Sequence, residues 1–297
     1  MILENIPFEE YQQISAMNAS TLVHGIKSMR HLRHVQLTPS STTKCQLAGQ
    51  AVHSLAELGS VEFDKKWGTM PAFHLDDANT DTKGNPSVSK STKYYKQKKA
   101  EFESRNSHKT IVDKKTYDTA LATVLSLWND PIAAEALKGC DTEVTIQAEL
   151  AGIPCKGRLD LLRIEGSSAI IRDIKTCQSV EMFDFGKTFA RYHYGFKLAF
   201  YRELLRAEGF EVTEVELVTV ESVAPHDVAV VPISEIILDN QVSEIYRLLE
   251  KYERCWRSDN WPGVANGKRY ELHVPNWSMD ENMGLDWSDC EEEEVVG

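Results

Sequence analysis

The sequence predicts an α/β fold in which helices flank one mixed central β-sheet. Helical patterns dominate the first 140 residues, and three segments of alternating polar and apolar residues follow at 142–150, 153–164 and 168–175. Beyond them, helical patterns at 180–208 and 233–258 enclose a further alternating segment at 212–222. A helix between two strands is long enough to return the chain for parallel pairing, so the sheet is expected to be mixed.

Cap and breaker residues bound the predicted helices. The first spans 18–34 and begins at Asn18 or Ser20, and the second spans 43–59 and ends at Gly59. A loop rich in Asp, Asn, Ser, Thr, Gly and Pro covers 75–92, and a basic helix covers 91–105. Two more helices are expected at 113–128 and from Asp130-Pro131 to about residue 138.

Short glycine-containing turns join the predicted strands. Ala151-Gly152 separates the first two, and Glu165-Gly166-Ser167 separates the second from the third. The three strands should therefore form an antiparallel meander. A possible edge strand lies at 227–231.

We expect one domain over residues 1–278. It consists of a mainly helical part (1–140), a part that holds the sheet (141–222) and a C-terminal strand and helix (223–278). Residues 279–297 contain eight Asp and Glu and no Lys or Arg, which is typical of a solvated, mobile tail. This tail accounts for most of the net charge of −12, so the total charge neither supports nor excludes a nucleic-acid partner.

Composition excludes several other classes of protein. The six cysteines are scattered without a C-x-x-C pair, which argues against a disulfide framework, a zinc ribbon and an iron–sulfur site. No apolar stretch is long enough to cross a membrane, and the acidic N-terminus lacks the apolar core of a signal peptide. A cytoplasmic location without membrane association is expected.

Two carboxylates and a lysine in the meander suggest metal-dependent phosphodiester hydrolysis. Asp160 and Asp173 lie on neighbouring strands, and Lys175 follows Asp173 by two residues and so points to the same face. Both acids are surrounded by Leu or Ile, where an unpaired carboxylate is costly. Oxygen ligands suit Mg²⁺ or Mn²⁺, and a lysine can position the attacking water.

Each of these residues alone has a simpler interpretation. Asp160 or Asp173 would also be explained by an ion pair with Arg158 or Arg172. A single histidine on an apolar helix, such as His53, is more often a hydrogen-bonded core residue than a ligand. Glu143, at the start of the first strand, fits a solvated edge position as well as an auxiliary role.

Three short motifs in series resemble one family. Gly49-Gln50-Ala51-Val52-His53, then Cys155-Lys156-Gly157-Arg158-Leu159-Asp160, then Asp173-Ile174-Lys175-Thr176 resemble the RecE-type (exonuclease VIII-like) branch of the PD-(D/E)XK nuclease superfamily. The resemblance runs from about residue 15 to about residue 205.

This resemblance implies a site and an activity. The metal ligands would be His53, Asp160, Asp173 and the carbonyl oxygen of Ile174, with Lys175 as the catalytic lysine and Glu143 as an auxiliary acid. Mg²⁺ would be the cofactor, with Mn²⁺ as a substitute because imidazole suits Mn²⁺ better. The implied enzyme degrades duplex DNA ends 5′→3′ and leaves 3′ overhangs for recombination by strand annealing. An annealing protein would be its partner, and its subunits would form a ring.

Basic and aromatic residues near the motifs are candidate DNA contacts, although ion pairs or core packing would also explain them. They are Lys156, Arg158, Thr176, Arg191, Tyr194, Lys197 and Tyr201. Related nucleases carry Gln-x-x-x-Tyr on the helix after the lysine strand, and here Lys197 stands at the glutamine position. A lysine there is a plausible phosphate ligand on the same helix face as Tyr201.

Four alternatives remain open from the sequence. The chain fits an endonuclease, a nuclease module of a helicase complex, or an inactive DNA-binding or partner-binding module with the same fold. The complete set of Asp160, Asp173 and Lys175 argues against the inactive module. A soluble α/β protein unrelated to DNA is the remaining alternative.

Overall fold

Helices make up most of the first half of the chain. The computed structural model describes residues 1–3, 6–38, 43–269 and 271–273. The helices of this half are α1 (Phe8–Gln13), α2 (Ala19–Leu22), α3 (Met29–Leu37), α4 (Lys44–Lys66), α5 (Lys93–Arg105), α6 (Lys114–Asn129) and α7 (Pro131–Leu137). Three short strands that the sequence did not predict accompany them: β1 (Ile2–Leu3), β2 (Trp67–Thr69) and β3 (Thr110–Val112).

The second half of the chain supplies most of the sheet. It contains β4 (Asp141–Leu150), β5 (Ile153–Glu165), β6 (Ser168–Cys177), α8 (Met182–Arg191), α9 (Tyr194–Ala207), β7 (Glu211–Glu221), β8 (Val228–Pro232) and α10 (Glu235–Ser258). The order of strands in the described sheet is β1-β4-β5-β6-β7-β8. Strands β4, β5 and β6 are antiparallel neighbours, and β7 is parallel to β6. The predicted mixed sheet and its meander are confirmed.

Two helix predictions need correction. The single helix expected over 18–34 is two helices, separated by a 3-10 turn at Val23–Ile26. Asn18 caps α2 by accepting a hydrogen bond from the Thr21 backbone (2.8 Å), and Ser28 then caps α3 separately. Gly59 does leave the helical conformation, with a φ of 72°, but α4 resumes after it and continues to Lys66.

Side chains on the two faces of the sheet belong to two apolar cores. On β6, Ile171 packs into a core shared with α9 and α10, whereas Ile174 packs into a core shared with α4 and α6. Strand β7 shows the same alternation, with Leu217 in the first core and Val218 in the second. Alternation along a strand thus places helices on both faces of the sheet.

Strands β5 and β6 pair along only part of their length. Their ladder runs from Glu165–Ser168 to Leu161–Arg172 and ends there, although both strands continue. Beyond that point β6 stays paired with β7, while the first half of β5 stays paired with β4. The two strands therefore separate inside the sheet and leave a gap between them.

The segment that precedes α2 lies beside the free edge of β5. The Met17 N–H donates a hydrogen bond to the Pro154 carbonyl (2.9 Å), and the Lys156 N–H donates to the Met17 carbonyl (2.7 Å). Helix α9 packs closely on the same part of β5 at Gly157. A Cβ atom at Gly157 would come within 2.9 Å of both Leu204 and Tyr201. Only glycine permits this approach.

The tail predicted at 279–297 lies outside the described residues. Across the described ranges, none of the helices is both long enough and apolar enough to span a membrane.

We expect Gly157→Ala to lower the free energy of unfolding by about 1–3 kcal/mol, because the added methyl group overpacks a filled core. The matched control is Gly186→Ala on the exposed face of α8, where no atom of the described residues lies within 4 Å of the added Cβ. There, alanine should be neutral or stabilise by up to about 1 kcal/mol. Urea unfolding of both variants measures the difference. Equal stabilities would contradict the close approach of α9 to β5.

Candidate active site

Three acidic residues lie in one row across the sheet. The pairs Thr142–Leu161 and Val144–Leu159 place Glu143 of β4 opposite Asp160 of β5. The β5–β6 ladder ends at Leu161–Arg172, so the next position brings Asp160 opposite Asp173 of β6. The row therefore crosses the gap where β5 and β6 separate. This register places the two predicted aspartates together.

Glu143 has an unusual backbone conformation for a strand residue. Its φ of 54° lies in the left-handed region, and the β4–β5 ladder skips this residue. A non-glycine residue in that region costs about 1–2 kcal/mol. Such irregularities redirect side chains and occur often beside active sites. Glu143 lines a cavity with His53 and Glu57, on the side of the sheet that faces α4.

His53 of α4 lies at the acidic row. Its Nδ1 lies 3.4 Å from Oδ2 of Asp160. One ligand atom each from His53, Glu143 and Asp160 can be chosen so that all three lie within 4.8 Å of one another. The position of His53, which the sequence could assign only by resemblance, is thus at the acidic row.

Two lysines hold Asp173. Lys175 forms an ion pair with its Oδ2, and Lys197 of α9 donates a hydrogen bond to its Oδ1 (3.1 Å). Lys175 Nζ also lies 3.5 Å from Oδ2 of Asp160 and donates a hydrogen bond to the Ile174 carbonyl (3.0 Å). Lys175 therefore connects the two aspartates and the backbone oxygen that was predicted as a ligand.

The lysines determine the charge of Asp173, which is only 1% exposed. Burial would raise the pKa of this carboxyl, but the charges of Lys175 and Lys197 outweigh burial and hold the pKa well below its usual range. The ion pair also changes the pKa of Lys197. Burial would lower the pKa of Lys197, yet the Asp173 carboxylate raises it well above the ordinary value. Asp173 and Lys197 thus form a charged pair.

The donor atoms at this site fit a divalent cation. Oδ2 of Asp160 is buried and accepts no hydrogen bond from the described residues, so it is an acceptor that a cation would satisfy. Carboxylate oxygens with a single imidazole are suitable ligands for Mg²⁺ and better ones for Mn²⁺. The residues that would hold the ion are His53, Glu143 and Asp160, with Asp173 and the Ile174 carbonyl beside them on β6.

One acid at the site escaped the sequence-based prediction. Glu57 lies one turn after His53 on α4 and, with His53, Glu143 and Asp160, lines a cavity of about 40 Å³. Burial raises its pKa, and so does the nearby charge of Glu143. The spacing of four residues from His53 was the available signal, because it places both side chains on one helix face.

Two of the predicted DNA contacts have structural roles. Lys156 is 4% exposed, and its ammonium donates hydrogen bonds to the carbonyls of Tyr11 (2.8 Å) and Ile14 (2.7 Å) at the end of α1. This correction follows from burial, which leaves the ammonium no access to a phosphate. Arg158 forms an ion pair with Glu143 and donates a hydrogen bond to the Ile6 carbonyl (2.9 Å). Arg158 thus fixes the Glu143 carboxylate.

The remaining predicted contacts lie around the two lysines or on nearby surface. Lys175 Nζ lies 5.6 Å from the centre of the Tyr194 ring, and Lys197 Nζ lies 5.4 Å from that of Tyr201. Tyr201 is buried, so its predicted DNA contact becomes a packing contact with Lys197. Arg191 is exposed at the end of α8, and Thr176 is partly buried next to α4.

Comparison with solved structures identifies proteins of similar fold. The crystal structure of a "putative exonuclease" from Eubacterium rectale aligns with a TM-score of 0.56 at 14% identity, over 95% of this chain and 100% of that chain. At this identity the likeness shows a shared fold. The structure of the protein SSO0001 aligns over 70% of this chain and 84% of its own, at 17% identity, with a TM-score of only 0.26. No curated protein sequence matches the chain.

A protein-family model provides the family assignment. The model described as "PDDEXK-like domain of unknown function (DUF3799)" matches residues 26–272, which include α3 to α10 and the whole acidic row. The protein therefore belongs to this PDDEXK-like family, within the PD-(D/E)XK nuclease superfamily.

Proposed function

We propose that the protein is a metal-dependent deoxyribonuclease whose active site is the row Glu143, Asp160 and Asp173 with His53 and Lys175. The observation that carries this proposal is the buried, unsatisfied Oδ2 of Asp160, which lies between His53 and Lys175. Most buried polar atoms in proteins have a hydrogen-bond partner, so a buried carboxylate oxygen without one, between an imidazole and an ammonium, fits a ligand for a cation. Family membership supports a nuclease.

The side chains at the site have different roles in this chemistry. A bound Mg²⁺ or Mn²⁺ would supply Lewis-acid charge and lower the pKa of an attacking water. His53, Glu143 and Asp160 bind the ion, and Arg158 orients Glu143 by its ion pair. Lys175 can donate a hydrogen bond from Nζ to the attacking water or to a phosphate oxygen, because Nζ lies between the two aspartates.

We further propose that the enzyme is an exonuclease acting on duplex DNA ends. The RecE-type resemblance of the three motifs supports 5′→3′ degradation that leaves 3′ overhangs for recombination with an annealing protein. It also supports a ring-shaped homo-oligomer. The Eubacterium rectale neighbour is itself described as a "putative exonuclease".

A cationic surface beside the site supports a nucleic-acid substrate. Between Glu10 and Glu57 the sequence has no Asp or Glu, although the chain has 45 of them. In this stretch Lys27 and Arg30 of the α2–α3 region are exposed. His24 lies in the same region. Burial lowers its pKa, and so do the charges of His31 and of His193 at the start of α9. A basic surface therefore adjoins the helix that carries Lys197.

We expect the protein with Mg²⁺ or Mn²⁺ to shorten linear duplex DNA and to spare closed circles. Asp173→Asn should reduce cutting about 10³-fold, because it removes the carboxylate that holds both lysines. DNA binding should remain. The matched control is Asp118→Asn on the exposed face of α6, where the aspartate pairs with Lys114.

Gel assays of duplexes labelled separately at each 5′ and 3′ end measure both rate and polarity. Nicked circles would favour the endonuclease alternative over the exonuclease. Full activity of Asp173→Asn would reject the active-site assignment. Loss of the 3′ label first would contradict the proposed 5′→3′ direction.

The cationic surface yields a second expectation. Reversing two charges in Lys27→Glu/Arg30→Glu should weaken DNA binding and reduce the slope of log K against log salt by about 2, since each lost phosphate contact removes about one unit. The control double variant is Lys114→Glu/Lys115→Glu at the start of α6, about 20 Å along the helix from Trp128 at the site. Fluorescence anisotropy at several salt concentrations measures the slopes. Equal slopes in the two double variants would place the DNA elsewhere.

A further inference from the structure

Lys197 is the residue at which this chain departs from the pattern of related nucleases. It stands where they carry glutamine, and its ammonium donates a hydrogen bond to Oδ1 of Asp173 (3.1 Å). Glutamine at this position would be neutral. The substitution therefore adds a fixed positive charge against the carboxylate at the β6 end of the acidic row.

The position of Lys197 is well defined by its surroundings. Helix α9 is among the most buried elements of the chain, and Lys197 is flanked along it by the buried Phe196 and Leu198. Its Nζ also lies 5.4 Å from the Tyr201 ring centre, one turn further on. The ammonium thus has an anionic partner and an aromatic partner, and both hold it against Asp173.

This contact limits what Asp173 can bind. In a two-metal site the ions are about 3.5–4 Å apart and share a bridging ligand. Here Oδ1 of Asp173 is bound to Lys197, and Oδ2 is the oxygen that Lys175 contacts. If Lys175 moves away, Asp173 can offer Oδ2 to one ion, but Oδ1 remains with Lys197.

The balance of charge at the site also argues against a second ion near Asp173. Glu143, Asp160 and Asp173 are in contact with three permanent cations: Arg158, Lys175 and Lys197. The further carboxyl of Glu57 lies on the α4 side, with His53 and Glu143. Anionic charge that is not already paired is therefore concentrated at the His53 end of the row, and a second divalent ion near Asp173 would be repelled by Lys197 at close range.

We propose that Lys197 takes the place of a second cation, so that each chain binds a single divalent ion at His53, Glu143 and Asp160. This role rests on the proposed metal-dependent nuclease function. Lys197 is a positioning residue in this scheme: it keeps Asp173 ionised and oriented, and it excludes a second ion.

The number of bound ions tests this proposal without reference to activity. The full chain is titrated with Mn²⁺ by isothermal calorimetry, and bound Mn²⁺ is counted independently by electron paramagnetic resonance. The wild-type protein should bind one ion per chain. Lys197→Gln should bind two, and its first ion should bind about tenfold more tightly because a neighbouring positive charge is gone. Lys197→Arg, which keeps the charge, should bind one.

The matched control is Lys187→Gln on the exposed face of α8, where the lysine pairs with Asp184 outside the site. It should bind one ion with unchanged affinity. Two ions in the wild-type protein, or one ion in a folded Lys197→Gln variant, would overturn the role of Lys197 and leave the nuclease proposal standing. No bound ion in the wild-type protein would overturn both. The wild-type count is decisive even if Lys197→Gln does not fold.

Discussion

The separation of β5 and β6 is the constraint on which the site depends. The β5–β6 ladder ends at Leu161–Arg172, one position before Asp160 and Asp173, so both aspartates lie where the two strands part. Because the strands part, side chains from both helical layers reach the row: His53 comes from α4 and Lys197 from α9. Close packing of α9 on β5 and pairing of the α1–α2 segment with the free edge of β5 maintain the gap.

Charge compensation explains how so many carboxylates remain in a partly buried place. An ionised carboxylate at 1% exposure, as at Asp173, is stable only when it is paired. Lys175 and Lys197 provide that pairing, and Arg158 does the same for Glu143. Removing one partner leaves the other buried and charged. Among the described residues, Oδ2 of Asp160 and Oδ2 of Asp173 are buried acceptors to which no hydrogen bond is donated, although lysine charges lie beside both.

The sequence predicted the sheet and put Asp160 and Asp173 on neighbouring strands, because alternating segments joined by short glycine turns pair as hairpins. The register that brings the two aspartates opposite each other came from the structure. The sequence predicted His53 only through resemblance, because helix periodicity does not say what a side chain faces across a tertiary contact. Lys156 was misassigned for a related reason. Alternation along β5 gives the direction of its side chain, but the end of α1 that binds its ammonium is distant in the sequence. The left-handed conformation of Glu143 likewise has no signature in the sequence.

Anomalous diffraction from crystals soaked in Mn²⁺ shows directly whether the acidic row is a metal centre. We expect one anomalous peak within ligand distance of His53, Glu143 and Asp160. Lys197 should still contact Oδ1 of Asp173. A map without a peak at the row, or with Mn²⁺ bound only at acidic residues elsewhere on the surface, would contradict this expectation.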